Sequence, residues 1–245
     1  MPSLYGLIGY PLTHSFSPAY FKDKFATLGI GAQYKLFPLS NITEFPALAY
    51  AQPHLAGLNV TIPYKAAIIP YLHEVDTIAS EINAVNCISF INGRMKGFNT
   101  DIIGFEQSLI PHLQPQHTQA LILGTGGSSA AVSWVLQHLG ISFLKVSRSK
   151  APHTITYHDL TPGLIEQHPL IINCTPLGMH PHTDNAPPLH YSSIGETHLL
   201  YDLIYNPRET KFLSLGKARG ATIKNGLEML QLQADAAWAI WQQNA

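Results

Sequence analysis

The stretch Gly57-Leu-Asn59-Val-Thr61-Ile-Pro-Tyr-Lys65 sets two hydrogen-bonding side chains and a lysine close together in this 245-residue chain. On a strand the period of two puts Asn59 and Thr61 on one face, so a nearby lysine can share their pocket. Ser15-Phe-Ser17-Pro adds two hydroxyls just ahead of an expected helix, where capping is an adequate role for either serine alone. Asn86 and Asp101 are polar residues flanked by apolar sequence and so need partners. Asx turns would explain either one, but not the whole set so readily.

A second group of residues has the chemistry of a nucleotide site. Gly124-Thr125-Gly126-Gly127-Ser128 follows an apolar strand and opens a helix, the context that gives a glycine motif weight. The first glycine permits the tight turn, the second lets backbone approach a pyrophosphate, and the helix N-terminus supplies free N–H groups and a favourable dipole. Ser129 stands where many such motifs have a third glycine. The next strand ends in Ser147-Arg148-Ser149-Lys150, where an NAD-binding fold presents an acid to the ribose. Two cations and two hydroxyls there point to a 2′-phosphate and hence to NADP. The rival readings are an ordinary strand–turn–helix link and a solvated basic turn.

These residues need a scaffold, and the pattern predicts an α/β one. In the first hundred residues Leu4–Gly9, Ser17–Leu28, Gln33–Pro38, Gly57–Val60, Lys65–Leu72 and Val85–Ile91 alternate short apolar runs with helix-like segments. Asn92-Gly93 predicts a tight hairpin turn. A helix is expected over 102–113, followed by a Pro- and Gln-containing stretch of domain-boundary composition. Strands are then expected at 120–123, 143–147, 154–157, 170–174, 199–203 and 221–223, with helices over 128–139 and 227–241, giving a doubly wound sheet. Only six residues separate Ser147 from Thr154, too few for an ordinary parallel crossover, so its helix must be missing or replaced by a tight loop. The last helix carries Leu230, Ala234, Ala237 and Trp241 at helical spacing and is expected to pack on the first domain.

Composition excludes several classes. Hydrophobic residues make up 46% and charged residues 12%, which describes a packed chain rather than a disordered one. Lys and Arg total 14 against 15 Asp and Glu, leaving no electrostatic footprint for nucleic acid or an anionic membrane. No apolar stretch is long enough for a membrane helix, and the N-terminal residues do not read as a secretory signal, so the cytoplasm is the expected compartment. Cys87 and Cys174 read as buried thiols. His180-Pro-His182 approaches metal-ligand spacing but has no third ligand nearby, and no metal is expected.

Taken together, the order and wording of these motifs resemble the shikimate dehydrogenase family from end to end. The resemblance rests on Ser15-Phe-Ser17, Asn59-Val-Thr61-x-Pro-x-Lys65, Ala84-Val-Asn86, Asn99-Thr-Asp101-x-x-Gly104-Phe105 and the Gly124 turn. It continues through Asn173-x-Thr-Pro-Leu-Gly178-Met179, Asp202-x-x-Tyr205-Asn-Pro207 and Gly226-x-x-Met229-Leu-x-x-Gln233-Ala. It implies two α/β domains with a cleft between them: an N-terminal substrate-binding domain (1–101 plus 225–245) and a Rossmann-like NADP-binding domain (102–224). It implies that Ser15, Ser17, Asn59, Thr61, Asn86, Asp101, Tyr205 and Gln233 hold a polyhydroxylated substrate, with Lys65 and Asp101 as the reacting pair. Gly124, Thr125, Gly126, Gly127, Ser128, Ser147, Arg148 and Ser149 would line NADP, with Leu203, Gly226 and Met229 near its nicotinamide end. The expected reaction is reversible reduction of 3-dehydroshikimate to shikimate by a monomer or homodimer. A quinate or dual quinate/shikimate enzyme, or a non-catalytic shikimate-binding regulatory paralogue, are the rivals; the second serine leans towards shikimate, and retention of Lys65 and Asp101 argues against the paralogue. The chain departs from the family pattern at Asn83 and Cys87, which replace Gly and Thr, at Ser147-Arg-Ser149, which replaces Asn-Arg-Thr, and in a shortened 150–170 region.

Overall fold

Six consecutive buried residues, Leu4 to Gly9, form β1, a run that reads as unbroken apolar sequence because both of its edges and both of its faces are covered. In the computed structural model, which describes residues 3–12 and 15–243, β1 is followed by α1 (Ser17–Thr27), β2 (Gln33–Pro38), α2 (Phe45–Ala51) and β3 (Leu55–Val60). Both β2 and β3 pair with β1 in parallel. Gly29, with φ +66, lets the chain leave α1 in the left-handed conformation that commonly ends helices. Then come β4 (Glu74–Val75), α3 (Thr77–Glu81), β5 (Cys87–Ile91) and β6 (Arg94–Phe98), giving a mixed sheet of order β2-β1-β3-β5-β6-β4. Antiparallel pairing enters at β3–β5 and β5–β6, and Asn92 and Gly93 form the β5–β6 turn with φ of +49 and +76.

Lys65–Leu72 differs from the helix-like expectation. It is a series of turns with a single 3-10 turn at Ile69–Tyr71. Pro70 has no N–H to give to an α-helical ladder, which accounts for the shorter structure.

The second half contains α4 (Asp101–Leu109), β7 (Gln119–Leu123), α5 (Gly127–His138), β8 (Ser142–Ser147), β9 (Thr154–Thr156), α6 (Pro162–Gln167), β10 (Leu170–Asn173), β11 (Leu199–Asp202), α7 (Lys211–Lys217), β12 (Thr222–Lys224) and α8 (Leu227–Gln242). Its sheet is wholly parallel, in the order β12-β11-β10-β7-β8-β9. Read from the β9 edge, this is the doubly wound 3-2-1-4-5-6 arrangement, whose winding reverses between β7 and β10. As expected, β8 passes to β9 through a short link with no helix, and His153 adopts φ +57 at its end. Sequence periodicity did not reveal α2, α3, α6 or α7, each of seven residues or fewer.

By contacts the chain forms two compact units: residues up to Thr100 together with those from Gln233 onward, and Asp101–Leu232. The second division falls inside α8, beyond the 224/225 position read from sequence. In the first unit Tyr5, Phe21, Phe25 and Ala237 form an apolar cluster with Trp241, whose ring stacks on Tyr5 at 4.8 Å and whose Nε1 donates to the Ile88 carbonyl at 3.0 Å. A Cβ on Gly57 would lie 2.3 Å from that indole nitrogen, so close approach demands glycine there. In the second unit Leu121, Leu123, Val146, Ile171, Leu200 and Phe212 belong to the core beneath the parallel sheet.

Candidate functional site

In the second unit the glycine turn leaves β7 beside the point where the winding reverses, the usual place for a ligand on an open α/β sheet. Gly124 has φ +102 and donates its N–H to the Val146 carbonyl at 2.8 Å. A Cβ there would come within 3.0 Å of Thr175 Cγ2, which follows β10, so the glycine lets the two strand ends close up. Gly126 occupies the N-cap of α5 in extended conformation, and a Cβ on it would meet open space. Thr125, Gly126 and Gly127 are exposed, Ser128 is half-buried, and no acidic side chain stands in the first turn of α5. An anion therefore meets backbone N–H groups and no competing carboxylate.

At the end of β8, Arg148, Ser149 and Lys150 are exposed, whereas Ser147 is buried. The Ser147 hydroxyl is engaged in closing the turn: it donates to the Ser149 carbonyl and accepts from the Ser149 N–H. Of the four polar residues read from sequence, the two cations and Ser149 face solvent.

A buried carboxylate ties the strand ends together. Asp202 accepts from Asn173 Nδ2 at 3.1 Å, from the Ile204 N–H at 3.0 Å and from the Thr210 hydroxyl at 2.6 Å. Burial pushes its pKa up from the ordinary 3.8 to about 6, against the pull of these donors. Asn173 Oδ1 in turn accepts from the Thr175 N–H and hydroxyl. The same network delivers Leu203, whose N–H donates to the Asn173 carbonyl, and the Ile204 carbonyl accepts from the Gly226 N–H. A Cβ on Gly226 would lie 2.1 Å from the Leu203 carbonyl oxygen, so these two expected nicotinamide-end residues are in contact. Met229 is buried one turn further along α8, and Tyr205 is half-buried beyond Leu203. Cys174, expected to be buried, is half-exposed as a residue, yet desolvation of its thiol pushes the pKa far up.

The first unit gathers a different set. Asn59, on β3, is held by the Tyr34 hydroxyl at 2.9 Å and directs its Nδ2 at the Asn86 carbonyl at 3.4 Å. Asn86 Oδ1 accepts from the Thr100 N–H at 2.7 Å, while its Nδ2 donates to Gln233 Oε1 at 3.1 Å. A backbone N–H can only donate, so Thr100 fixes which way the Asn86 amide faces. Asn86 then draws the Gln233 oxygen inward and leaves the Gln233 Nε2 to be presented as a donor. Phe16, which has no capping oxygen, holds the N-cap of α1, so capping does not account for Ser17. Ser15 is half-buried just ahead of that helix.

Thr61 follows β3 and donates its N–H to the Ile8 carbonyl. Lys65 is half-buried, and its carbonyl accepts from the Val85 N–H at 2.7 Å, which brings the 61–65 segment against the turn carrying Asn86. Asn83 adopts φ +52 in that turn, so the asparagine takes the conformation that glycine would. Asp101 is buried at the first position of α4. Sequence reading missed Tyr34 and the anchoring roles of Thr100 and Asn99, whose Nδ2 donates to the Ala84 carbonyl. The latter two lie inside the Asn99-Thr-Asp101 wording; Tyr34 had no local signal.

Among the described residues no group of three or more His, Cys, Asp or Glu could hold a metal ion, and no helix is long and apolar enough to cross a membrane. Fold and site define a two-unit α/β chain with a Rossmann-type sheet in one unit and a neutral hydrogen-bonded network in the other. Residues 7–88 match the shikimate dehydrogenase substrate binding domain. A shikimate dehydrogenase (NADP(+)) of Bacillus cereus is 36% identical over 258 residues, covering 98% of this chain and 93% of the relative. The crystal structure of shikimate dehydrogenase from Aquifex aeolicus superposes with a TM-score of 0.88 at 34% identity, covering 99% of this chain and 93% of that one. A shikimate 5-dehydrogenase from Thermus thermophilus, solved in complex with NADP(H) and shikimate, gives 0.88 at 28% identity, with 98% and 94% covered. The chain belongs to the shikimate dehydrogenase family.

Proposed function

We propose that this chain is an NADP-dependent shikimate dehydrogenase that reversibly reduces 3-dehydroshikimate to shikimate in the cytoplasm. The observation that carries the reading is the network of Tyr34, Asn59, Asn86 and Gln233: amides and a hydroxyl held in fixed orientation suit a small ring bearing several hydroxyls. Its first unit, with Ser15, Ser17, Asn59, Thr61, Asn86 and Gln233, is the substrate-binding side, to which Asp101 and Tyr205 contribute. Its second unit is the cofactor side, and the residues there fit the nucleotide: an open glycine turn at a helix N-terminus, and Arg148 and Lys150 exposed for a 2′-phosphate. When bound, NADPH supplies the hydride to the ring carbonyl carbon. Lys65 gives the proton that the carbonyl oxygen takes up and receives it back in the reverse direction, with Asp101 as its orienting partner. Asn86 and Gln233 keep the substrate hydroxyls in register.

Nicotinamide absorbance, followed with shikimate or quinate against NADP or NAD, tests the reading. Shikimate with NADP is expected to be the fastest pair. Preference for quinate would move the chain to the quinate branch, and binding of shikimate without turnover would make it a regulatory paralogue.

A further inference from the structure

Tyr34 stands on β2, the edge strand of the first sheet, where a side chain could point to solvent at no cost. Its hydroxyl end is instead buried. The ring stacks flat on Phe21, with centroids 4.6 Å apart and planes 8° from parallel, and burial pushes the phenol pKa far above its ordinary value. The phenol therefore stays neutral and keeps its proton. That proton has a defined destination: Asn59 Nδ2 faces the Asn86 carbonyl, which can only accept, so Asn59 Oδ1 faces Tyr34 and the tyrosine must donate to it. One side chain outside the motif set thus touches Asn59, a residue of β3 expected to read the ligand.

We propose that Tyr34 is a positioning and specificity-determining residue of the substrate site, acting through Asn59 without touching the substrate. The proposal rests on the functional reading above. Without the phenolic proton the Asn59 oxygen loses its donor and the amide is free to turn over. The consequence falls on substrate recognition alone, since the nucleotide residues belong to the second unit.

The test is Tyr34→Phe, which keeps the ring and its stacking on Phe21. The KM for shikimate is expected to rise about tenfold, the usual consequence of leaving a buried polar partner unsatisfied, with the KM for NADP unchanged and kcat within about twofold. In an Asn59→Ala background the same change is expected to raise the shikimate KM by less than about twofold, because the group it acts through is gone. Equal effects in both backgrounds, a parallel rise in the KM for NADP, or an unchanged KM for shikimate would overturn the proposal. So would a Tyr34→Phe chain that fails to fold or melts far below wild type, since the hydroxyl would then be holding the fold and not the site. If the wild-type chain itself does not reduce NADP with shikimate, the functional reading fails and this proposal with it; wild-type turnover with an indifferent Tyr34→Phe sinks the proposal alone.

Discussion

The polar networks of the two units are built on opposite plans. In the first unit Tyr34, Asn59, Asn86, Thr100 and Gln233 are all neutral, and they join residues as far apart in sequence as Asn86 and Gln233, 147 positions. In the second, a single buried carboxylate, Asp202, gathers Ile204, Thr210 and Asn173 from 2, 8 and 29 positions away. A neutral network pays no penalty for a buried charge and does not titrate at moderate pH, so its geometry holds across the working range. A buried carboxylate binds its neighbours with stronger, charge-assisted bonds but makes its unit sensitive to pH. The division suits the two tasks proposed above: reading hydroxyls would need fixed donors and acceptors, whereas shaping a phosphate-binding strand edge would need strand ends locked together.

The largest effect expected from breaking this arrangement falls on Lys65, the one cation among the proposed substrate-side residues. Lys65→Met keeps much of the stem and removes the ammonium. It should lower kcat by about 10² to 10⁴ while changing the KM for shikimate modestly. Steady-state kinetics across the pH range check it, and wild-type kcat throughout would remove Lys65 from the proton transfer.

Asp202→Asn sharpens the contrast between the units next. With the folded pKa raised from 3.8 to about 6, the folded state holds the proton more tightly than the unfolded chain. The carboxyl's contribution is then fully present below about pH 4 and is lost as pH rises through about 6, a change of roughly 3 kcal/mol. Denaturant melts of wild type minus Asp202→Asn should therefore show a difference that moves in the variant's favour between pH 4 and pH 7. The matching change in the other unit, Asn86→Ala, should lower stability by the same amount at every pH. A difference between wild type and Asp202→Asn that stays flat across this window would show that the charge is not what distinguishes the two plans.

The same division explains what could be read from sequence. The glycine turn, the Asn92-Gly93 hairpin and the missing crossover after β8 are local: a few adjacent residues carry each, and each is where it was expected. The residues of the first unit's network carry little local information, since Tyr34 acquires its role only because β2 lies beside β1 and α1 lies over it. Asn59 stood out by its strand spacing with Thr61 and Asn86 as a polar residue in apolar sequence, but neither signal names the partner each one finds. Short helices such as α3 and α7 depend on single caps, Asp76 and Thr210, and on packing that no periodicity over five to seven residues can register. The burial of Ser147 likewise follows from a turn closed by its own hydroxyl.

Arg148 tests the exposed edge of the second unit. The guanidinium is free of the Asp202 network and offers planar, charge-assisted donors, so Arg148→Ala should weaken NADP binding by about 10- to 100-fold and NAD binding hardly at all. Titration of the two nucleotides against the same protein reads the difference. Equal weakening of both would mean that the arginine shapes the turn and does not contact a 2′-phosphate.

The smallest effect separates structure from recognition at one residue. Ser17 is the first residue of α1, Phe16 is its N-cap, and Pro18 follows, so replacing Ser17 with alanine removes no cap and introduces a better helix former. Stability should change by only a few tenths of a kcal/mol. The hydroxyl nevertheless stands among the residues proposed to hold the substrate, so the KM for shikimate should rise several-fold with NADP binding intact. Thermal melts and shikimate kinetics on the same preparation distinguish the outcomes. A lower melting temperature with an unchanged KM would return Ser17 to the helix; an unchanged melt with a raised KM places it in the neutral network, where its loss is felt by the ligand and not by the fold.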